Sequence, residues 1–154
     1  MTIAAFQFQF QRLLELKENE KGQAQVEMAE AVKKQEEMEK NVLKAQQKLS
    51  VLHNELAAVQ LKGISIFELR RLEGHIETLK EKLVTEQRKL HNSSLQVDQK
   101  QAELVTKVKE TKTWITIRDQ QKQTFIEEQS KKEQIEMDEL TSVRMFYQAT
   151  GSKG

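Results

Sequence analysis

The strongest constraint on the fold is a seven-residue hydrophobic repeat that runs along most of the chain and is interrupted once. From Ala24 onward, mostly apolar side chains recur at alternating steps of four and three residues, at Met28, Ala31, Gln35, Met38, Val42, Ala45, Leu49, Leu52, Leu56 and Val59. After the interruption the repeat resumes at Leu69, Leu72, Ile76, Leu79 and Leu83. Such a repeat is typical of helices that pair along a narrow apolar seam. The sequence therefore predicts an all-α fold, an antiparallel two-helix coiled-coil hairpin.

Composition agrees with long helices and narrows the classes of function. The 154-residue chain contains no proline and no cysteine, and 32% of its residues are charged. Since proline breaks helix interiors, its absence permits long uninterrupted helices. The 25 basic and 24 acidic residues are interleaved, so the chain lacks the basic patch that nucleic-acid binding requires. The chain has neither an apolar run of membrane-spanning length nor the pattern of a signal peptide, so we expect a soluble cytoplasmic protein.

The interruption carries several independent signals of a turn. Gly63 can adopt the left-handed conformation that ends a helix. Ser65 precedes Glu68 by three residues, the spacing of a capping box, and Ile64 and Leu69 occupy the positions of a hydrophobic staple. We therefore expect a single elongated domain over residues 1–150 and a frayed tail over 149–154, with the first arm over about 3–60, the turn over about 61–65 and the second arm over about 66–148.

The second arm is longer and its seam is more polar. From Leu83 we place the seam one residue out of phase with its start, at Gln87, Leu90, Ser94, Val97, Gln101, Leu104, Val108, Thr111 and Ile115. Folding back at Gly63 predicts that Phe6 lies near Asp119 and that the chain beyond about Gln121 overhangs. An overhanging helix would expose Phe125, Ile126, Ile135, Met137 and Phe146, which would then require a partner to cover them.

Two clusters are candidates for function. Phe6, Phe8 and Phe10 approach Trp114 and Phe125 at the open end, either as a hydrophobic plug or as a docking surface, since aromatic residues dominate interface hot spots. His75, Leu79, Lys82 and Glu86 share one face of the second arm. His53, His75 and His91 never occur at a metal-ligand spacing, and no glycine-rich phosphate loop is present, so we expect no enzymatic activity, metal, cofactor or small-molecule substrate.

Three stretches of the sequence are distinctive. The chain opens with phenylalanines followed by leucines, in Phe6-Gln7-Phe8-Gln9-Phe10-Gln11-Arg12-Leu13-Leu14-Glu15-Leu16-Lys17. The second arm contains Trp114-Ile115-Thr116-Ile117-Arg118-Asp119-Gln120 and, nearer its end, the acidic Lys132-Glu133-Gln134-Ile135-Glu136-Met137-Asp138-Glu139-Leu140. In this order they resemble the start, the middle of the second helix and the C-terminal signature of the FliJ family of flagellar export proteins, and the last stretch is the most specific.

The resemblance implies a fold like the central stalk of rotary ATPases and a place in the flagellar type III export apparatus. It implies that the open end enters the hexameric ring of the flagellar export ATPase and promotes ring assembly, through Phe6, Phe8, Phe10, Leu13, Arg118, Phe125, Lys132 and Met137. It implies contact with the membrane export gate protein FlhA through His75, Leu79, Lys82 and Glu86. Family members also associate with export chaperones, and the implied location is the cytoplasmic face of the cell membrane at the flagellar basal body.

Other functions remain open at this point. One is the equivalent stalk of a virulence-type secretion system. Another is a general coiled-coil export chaperone or scaffold, which would bind secreted substrates without the ATPase. A third is a membrane-surface module that inserts Ile3, Ala4, Ala5, Phe6 and Phe10, although this segment lacks a flank rich in arginine or lysine.

Overall fold

The structure, a computed structural model, describes residues 5–151 and contains two helices. Helix α1 spans Gln11–Lys62 and helix α2 spans Ile66–Gly151, and no strand occurs within the described residues. The predicted all-α fold, with two antiparallel packed helices of which the second is longer, is confirmed. Neither helix, over the part of the chain described, has a stretch long and apolar enough to cross a membrane.

Helix α1 begins at Gln11, later than the expected start near residue 3, which lies outside the described residues. The preceding residues alternate phenylalanine and glutamine with a period of two, and that pattern belongs to an extended chain rather than to a helix. The N–H of Gln11 donates to the carbonyl of Phe8 at 3.1 Å, and this bond closes the first turn. At the other end, helix α2 continues to Gly151 and so includes part of the segment expected to fray, whereas residues 152–154 lie outside the described chain.

The turn between the helices forms as the sequence predicts. Gly63 has a φ of 80°, in the left-handed region that L side chains rarely adopt. The Ser65 hydroxyl accepts a hydrogen bond from the backbone N–H of Glu68 at 3.3 Å, which caps the first turn of α2. The left-handed glycine thus ends α1. The serine, three residues before Glu68, caps the start of α2.

The contacts divide the chain into two compact units. Unit 1 comprises Met1–Asn19 and Lys109–Gly154, and unit 2 comprises Glu20–Val108. The single domain over residues 1–150 therefore stays a prediction.

In unit 2 the two helices pack antiparallel around the predicted seam. Val42, Ala45, Ile76 and Leu79 are buried, and the other predicted seam positions of α1 from Met28 to Val59 are half-buried. Ion pairs flank the seam, since Lys107 Nζ lies 3.1 Å from Glu20 Oε2 and Lys100 Nζ lies 3.2 Å from Glu27 Oε2. Within the seam, Gln35 Nε2 donates to Ser94 Oγ at 3.0 Å.

The phase predicted for the seam of α2 beyond Leu83 is wrong at two positions. Gln87 and Gln101 are exposed, whereas the preceding residues are less exposed, Glu86 being buried and Lys100 half-buried. Ser93 is buried next to the half-buried Ser94. Leu83, Glu86, Leu90 and Ser93 follow one another at steps of three and four residues, and these steps continue the spacing of the seam at the start of α2. The helix therefore keeps one seam without a local change in its winding. Ser93 is accommodated because its hydroxyl donates to the Leu90 carbonyl at 2.7 Å.

The core of unit 1 is small. Leu14 and Thr111 are its most deeply buried side chains, at 1% and 2% exposure. The Thr111 hydroxyl donates to the Lys17 carbonyl at 3.2 Å, and Lys17 Nζ lies 3.3 Å from Glu110 Oε2. The buried hydroxyl therefore satisfies its hydrogen-bonding capacity across the two helices, as buried polar groups generally do.

Candidate functional site

The aromatic residues of unit 1 form a packed cluster at the start of α1. The ring centroids of Phe6 and Phe125 lie 5.6 Å apart, those of Phe8 and Phe10 5.9 Å apart, and those of Phe10 and Trp114 5.5 Å apart. These separations are in the range in which tilted and edge-to-face rings attract. The hydrophobic plug predicted from the sequence is therefore present, and we call these five residues the aromatic cluster.

Phe6 packs on Phe125 rather than near Asp119, so the predicted pairing at this point is wrong. The reason is that residues before Gln11 are not helical. A helical segment from Phe10 to Phe6 would advance about 6 Å, whereas the rise of α2 from Trp114 to Phe125 is about 16 Å. A more extended chain advances about 3.3 Å per residue and brings Phe6 within reach of Phe125.

This packing moves the start of the uncovered part of α2 from about Gln121 to the residue after Phe125. Every residue from Ser130 to Gly151 is exposed. We call this segment the exposed tail. The tail and the residue that follows Phe125 carry many bulky apolar side chains, each at least 49% exposed: Ile126, Ile135, Met137, Leu140, Val143, Met145, Phe146 and Tyr147. A large exposed apolar surface of this kind marks an interaction site.

Within the exposed tail, Leu140, Val143 and Tyr147 follow one another at steps of three and four residues. Residues at this spacing lie on one face of a helix. The sequence interpretation did not single out Val143 and Tyr147, although the spacing was visible in it. The tail thus presents an apolar stripe suited to a helical or grooved partner.

The structure divides the residues predicted to bind the ATPase into two groups. Phe6, Phe8, Phe10 and Phe125 belong to the aromatic cluster, and Leu13 is half-buried beside it in sequence. Arg118 is half-buried and pairs with Asp119 at 3.3 Å. Lys132 and Met137 lie on the exposed tail. The tail residues are free to contact a partner, while the cluster residues hold the open end together.

The residues predicted to bind the export gate come together in unit 2. His75, Leu79, Lys82 and Glu86 line two adjoining grooves between the helices, and both grooves include Leu79. The larger, of about 550 Å³, is lined by Lys44, Gln47, Lys48, Val51, Leu52, His75 and Leu79. The smaller, of about 180 Å³, is lined by Asn41, Lys44, Ala45, Lys48, Leu79, Lys82 and Glu86. We call the two together the interhelical groove.

The four predicted residues play different parts in the interhelical groove. His75 and Lys82 are exposed on its rim, whereas Leu79 and Glu86 are buried in its floor. Lys44 and Lys48 of α1 line both parts of the groove, and the sequence interpretation missed them because it followed one helix only. The floor of the groove is apolar at Leu79 and carries the buried carboxylate of Glu86, and the rim is mainly basic, which suits a partner segment that combines apolar and acidic side chains.

Glu86 is an unusual occupant of a coiled-coil seam. Its Oε1 lies 3.7 Å from Lys89 Nζ, and its buried Oε2 accepts no hydrogen bond from any described residue. A buried carboxylate oxygen without a donor destabilises the packing around it. The seam is therefore locally weak beneath the smaller part of the interhelical groove.

Charged groups elsewhere in unit 2 are mutually stabilised. Hydrogen bonding and the charge of Lys100 lower the pKa of Glu27, and the same bond with Glu27, aided by Glu103, raises the pKa of Lys100. Among the described residues, no three histidine, aspartate or glutamate side chains are grouped so that they could hold a metal ion.

Comparisons with known proteins agree with one another. The family model described as Flagellar FliJ protein matches residues 6–150 of this chain. The Flagellar FliJ protein of Bacillus subtilis (strain 168) is 31% identical over 142 residues, which cover 92% of this chain and 96% of that protein. A solved structure described as a YscO homologue from Chlamydia trachomatis is similar with a TM-score of 0.62, over 97% of this chain and 100% of that one. At 14% sequence identity, the second likeness shows the fold alone.

Proposed function

The chain belongs to the flagellar FliJ protein family, and from this membership we propose that it is the stalk component of the flagellar type III protein export apparatus. The family match over residues 6–150 confirms the resemblance drawn from the three sequence stretches. In the proposal, the open end of the chain binds within the export ATPase ring and promotes its assembly, and the groove of unit 2 contacts the export gate protein FlhA.

The exposed tail is the observation that carries the proposal. A single helix that exposes Met137, Leu140 and Tyr147 leaves a large apolar surface in water. Covering such a surface is favourable by about 25 cal/mol per Å² of apolar area. A ring with a central opening could surround the tail, and the aromatic cluster would hold the two helices together where the tail leaves them. Lys132 and Met137 are in this view contact residues, and Phe6 and Phe10 support them.

The test compares ATP hydrolysis and ring assembly of the cognate flagellar export ATPase with and without this protein. The contact variant changes Lys132 and Met137 to alanine, both on the exposed tail. The matched control changes Lys33 and Val26 to alanine, since these are also an exposed lysine and an exposed apolar residue but lie in unit 2. The proposal is supported if the control variant stimulates the ATPase as the natural chain does and the contact variant does not.

A second variant separates contact from packing. Phe6→Ala and Phe10→Ala together remove two members of the aromatic cluster, so their effect on the ATPase is interpretable only beside a measurement of folding by circular dichroism. If the natural chain is folded but neither binds nor stimulates the ATPase, the stalk proposal is wrong. A general export chaperone or scaffold would then be favoured, and binding to exported subunits would test it.

Contact with the gate is proposed for the interhelical groove. The exposed rim residues His75 and Lys82 can be changed to alanine without disturbing the seam, unlike the buried Leu79 and Glu86. Arg88 and His91 provide a matched control, because they are an exposed cation and an exposed histidine on the same helix. We expect the rim variant, and not the control, to lose binding to the cytoplasmic part of FlhA.

The proposed location is the cytoplasmic face of the cell membrane at the flagellar basal body, where the export gate lies. Export chaperones are proposed as further partners on the basis of the family. Neither partner requires a catalytic role for this chain, and the family is one of non-enzymatic export components.

A further inference from the structure

The turn between the helices exposes three large apolar side chains that neither the seam nor the proposed docking surfaces use. Leu61 near the end of α1 is 90% exposed, and Ile66 and Phe67 at the start of α2 are 71% and 78% exposed. They flank the three-residue connection from Gly63 to Ser65. We call Leu61, Ile66 and Phe67 the apolar tip. Such side chains at a turn, where polar residues are the rule, indicate a surface that leaves water when it is bound.

Basic side chains lie close to the apolar tip in both helices. Arg70 follows Ile66 by four residues and Arg71 follows Phe67 by four residues, so each arginine shares a helix face with one exposed apolar residue. One helical turn separates each pair, a rise of about 5.4 Å. Lys62 follows Leu61 at the end of α1. All three cations are exposed, and none of them forms an ion pair with a described residue.

The acidic residue nearest the tip lies on the opposite side of α2 from Arg70 but close to Arg71. Glu68 lies about 160° around the helix axis from Arg70. It lines a hollow with Glu55, Arg71, Leu72 and His75, and Arg71 forms no ion pair with either carboxylate among the described residues. The tip therefore presents exposed apolar side chains together with three cations that form no ion pair within the described chain.

We propose that the apolar tip binds the surface of an anionic lipid bilayer. Leu61, Ile66 and Phe67 enter the boundary between headgroups and acyl chains, and Lys62, Arg70 and Arg71 lie at the level of the anionic headgroups. Apolar insertion backed by basic residues is the arrangement by which peripheral segments bind membranes. Each cation near an anionic surface strengthens binding about fivefold.

A lipid surface fits these side chains better than a protein pocket does. A tight turn flanked by bulky residues is a projection, and a fluid interface adapts to a projection without a preformed cavity. In α2 the apolar Ile66 and Phe67 come first and the basic Arg70 and Arg71 one turn later, which matches passage from the acyl chains of a bilayer outward to its headgroups. In α1, Lys62 lies next to Leu61 at the turn itself. The tip also lies on the same helix as the groove proposed to contact the gate, since His75 follows Arg71 by four residues.

The test is flotation of the full chain with vesicles of phosphatidylcholine alone or of phosphatidylcholine mixed with phosphatidylglycerol. We expect binding to the anionic vesicles that weakens as salt is raised. The tip variant changes Leu61, Ile66 and Phe67 to serine, and a charge variant changes Lys62, Arg70 and Arg71 to glutamine. Neutralising three cations lowers the partition coefficient by about a hundredfold.

The matched control changes Val84, Leu95 and Val105 to serine. These are three exposed apolar residues of the same helix away from the turn, so the control removes as many apolar side chains without touching the tip. Because the chain has no cysteine, a polarity-sensitive fluorophore can be attached at Phe67→Cys or at Val105→Cys. We expect its emission to shift to the blue with anionic vesicles only at position 67.

Three results would overturn the proposal: no flotation with anionic vesicles, flotation equal in the tip variant and the control, or a blue shift at position 105 rather than 67. If the tip variant keeps its vesicle binding but loses binding to FlhA, the tip is a protein-docking surface and the lipid proposal is wrong. Stimulation of the export ATPase is measured in parallel, so failure of the tip proposal is distinguishable from failure of the stalk proposal.

Discussion

The ring of Phe6 covers the ring of Phe125, with centroids 5.6 Å apart and planes inclined at 51°. This contact joins a non-helical segment before α1 to a point on α2 close to the start of the exposed tail. The non-helical segment before α1 therefore determines how much of α2 has no other part of the chain packed against it. A change in the aromatic cluster should consequently alter both the stability of unit 1 and the environment of its tryptophan.

Replacing Phe10 with alanine should destabilise unit 1 by about 1–3 kcal/mol, because a partly exposed aromatic side chain and its ring contact are lost. Trp114, the single tryptophan, lies 5.5 Å from Phe10 and should become more exposed to water. The measurement is the wavelength of tryptophan emission during urea unfolding, and we expect a red shift in the folded variant.

The control for this variant is Phe146→Ala. Phe146 also contacts another ring, that of Tyr147 at 6.2 Å, but it lies on the exposed tail. Its removal should leave the emission of Trp114 and the unfolding midpoint unchanged. An equal red shift in both variants would contradict the packing of Phe10 on Trp114.

Burial of Glu86 leads to a prediction about stability. Leucine at this position removes an unsatisfied carboxylate oxygen from the seam and adds apolar contact, so Glu86→Leu should raise the free energy of unfolding by about 1–3 kcal/mol. Gln87→Leu should change it by less than about 0.5 kcal/mol, since Gln87 is exposed. Urea unfolding followed by circular dichroism compares the two. A larger gain for Gln87→Leu would favour the shifted seam over the observed one.

The seam of α1 and the turn could be predicted from the sequence, because apolar residues at seven-residue spacing and a glycine before a capping serine have few alternative structures. The start of α1 could not, although the alternation of Phe6, Phe8 and Phe10 was a signal of extended chain that the helix-forming composition obscured. The phase near Glu86 was also hidden. Glutamate and glutamine are equally unfavourable in an apolar seam, so their chemistry does not show whether Glu86 or Gln87 is buried. Only the unbroken spacing of the seam from the start of α2 identifies Glu86 as the buried residue.

The candidate docking surfaces were partly visible in the sequence. His75 and Lys82 share a helix face by their spacing alone. The contribution of Lys44 and Lys48 depends on which residues of α1 lie opposite, and that follows from the register of the two helices rather than from either sequence segment. The apolar tip was overlooked because Ile64 and Leu69 were interpreted as a staple, and the exposure of Leu61 and Phe67 beside them appears only in the structure.

The pair formed by Lys100 and Glu27 predicts how stability depends on pH. Bonding to Lys100 lowers the pKa of Glu27, so its stabilising effect is complete above the carboxylate's ordinary pKa and is lost as the pH falls through the lowered value. The pKa of Lys100 is raised, so its effect is complete below its ordinary pKa and is lost as the pH rises through the raised value. The pair therefore stabilises unit 2 across the neutral range only.

Lys100→Met should accordingly lower the melting temperature at neutral pH, and the difference from the natural chain should close in acid. Added salt should also reduce the difference, because both side chains are partly exposed. Lys80→Met is the control, since Lys80 is an exposed lysine of the same helix without an ion pair among the described residues. A difference that persists in acid would show that Lys100 acts through packing of its aliphatic chain.

Hydrogen exchange should separate the exposed tail from unit 2. Helices without neighbours are marginal in water, because most helix stability in proteins comes from packing. Amides of residues 130–151 should therefore exchange much faster than those around the buried Val42 and Ile76. Addition of assembled export ATPase should slow exchange in the tail, and Met137→Ala combined with Leu140→Ala should weaken that protection.

A dilution series distinguishes ring binding from self-association of the tail. If the tail pairs with a second copy of the chain, its amides should already be protected at high protein concentration and should lose protection on dilution, without any ATPase. Protection that is independent of protein concentration and appears only with the ATPase is the result expected of a stalk. Tail amides that exchange slowly at every concentration would show that the helix is stabilised by contacts within its own chain, and that it does not await a partner.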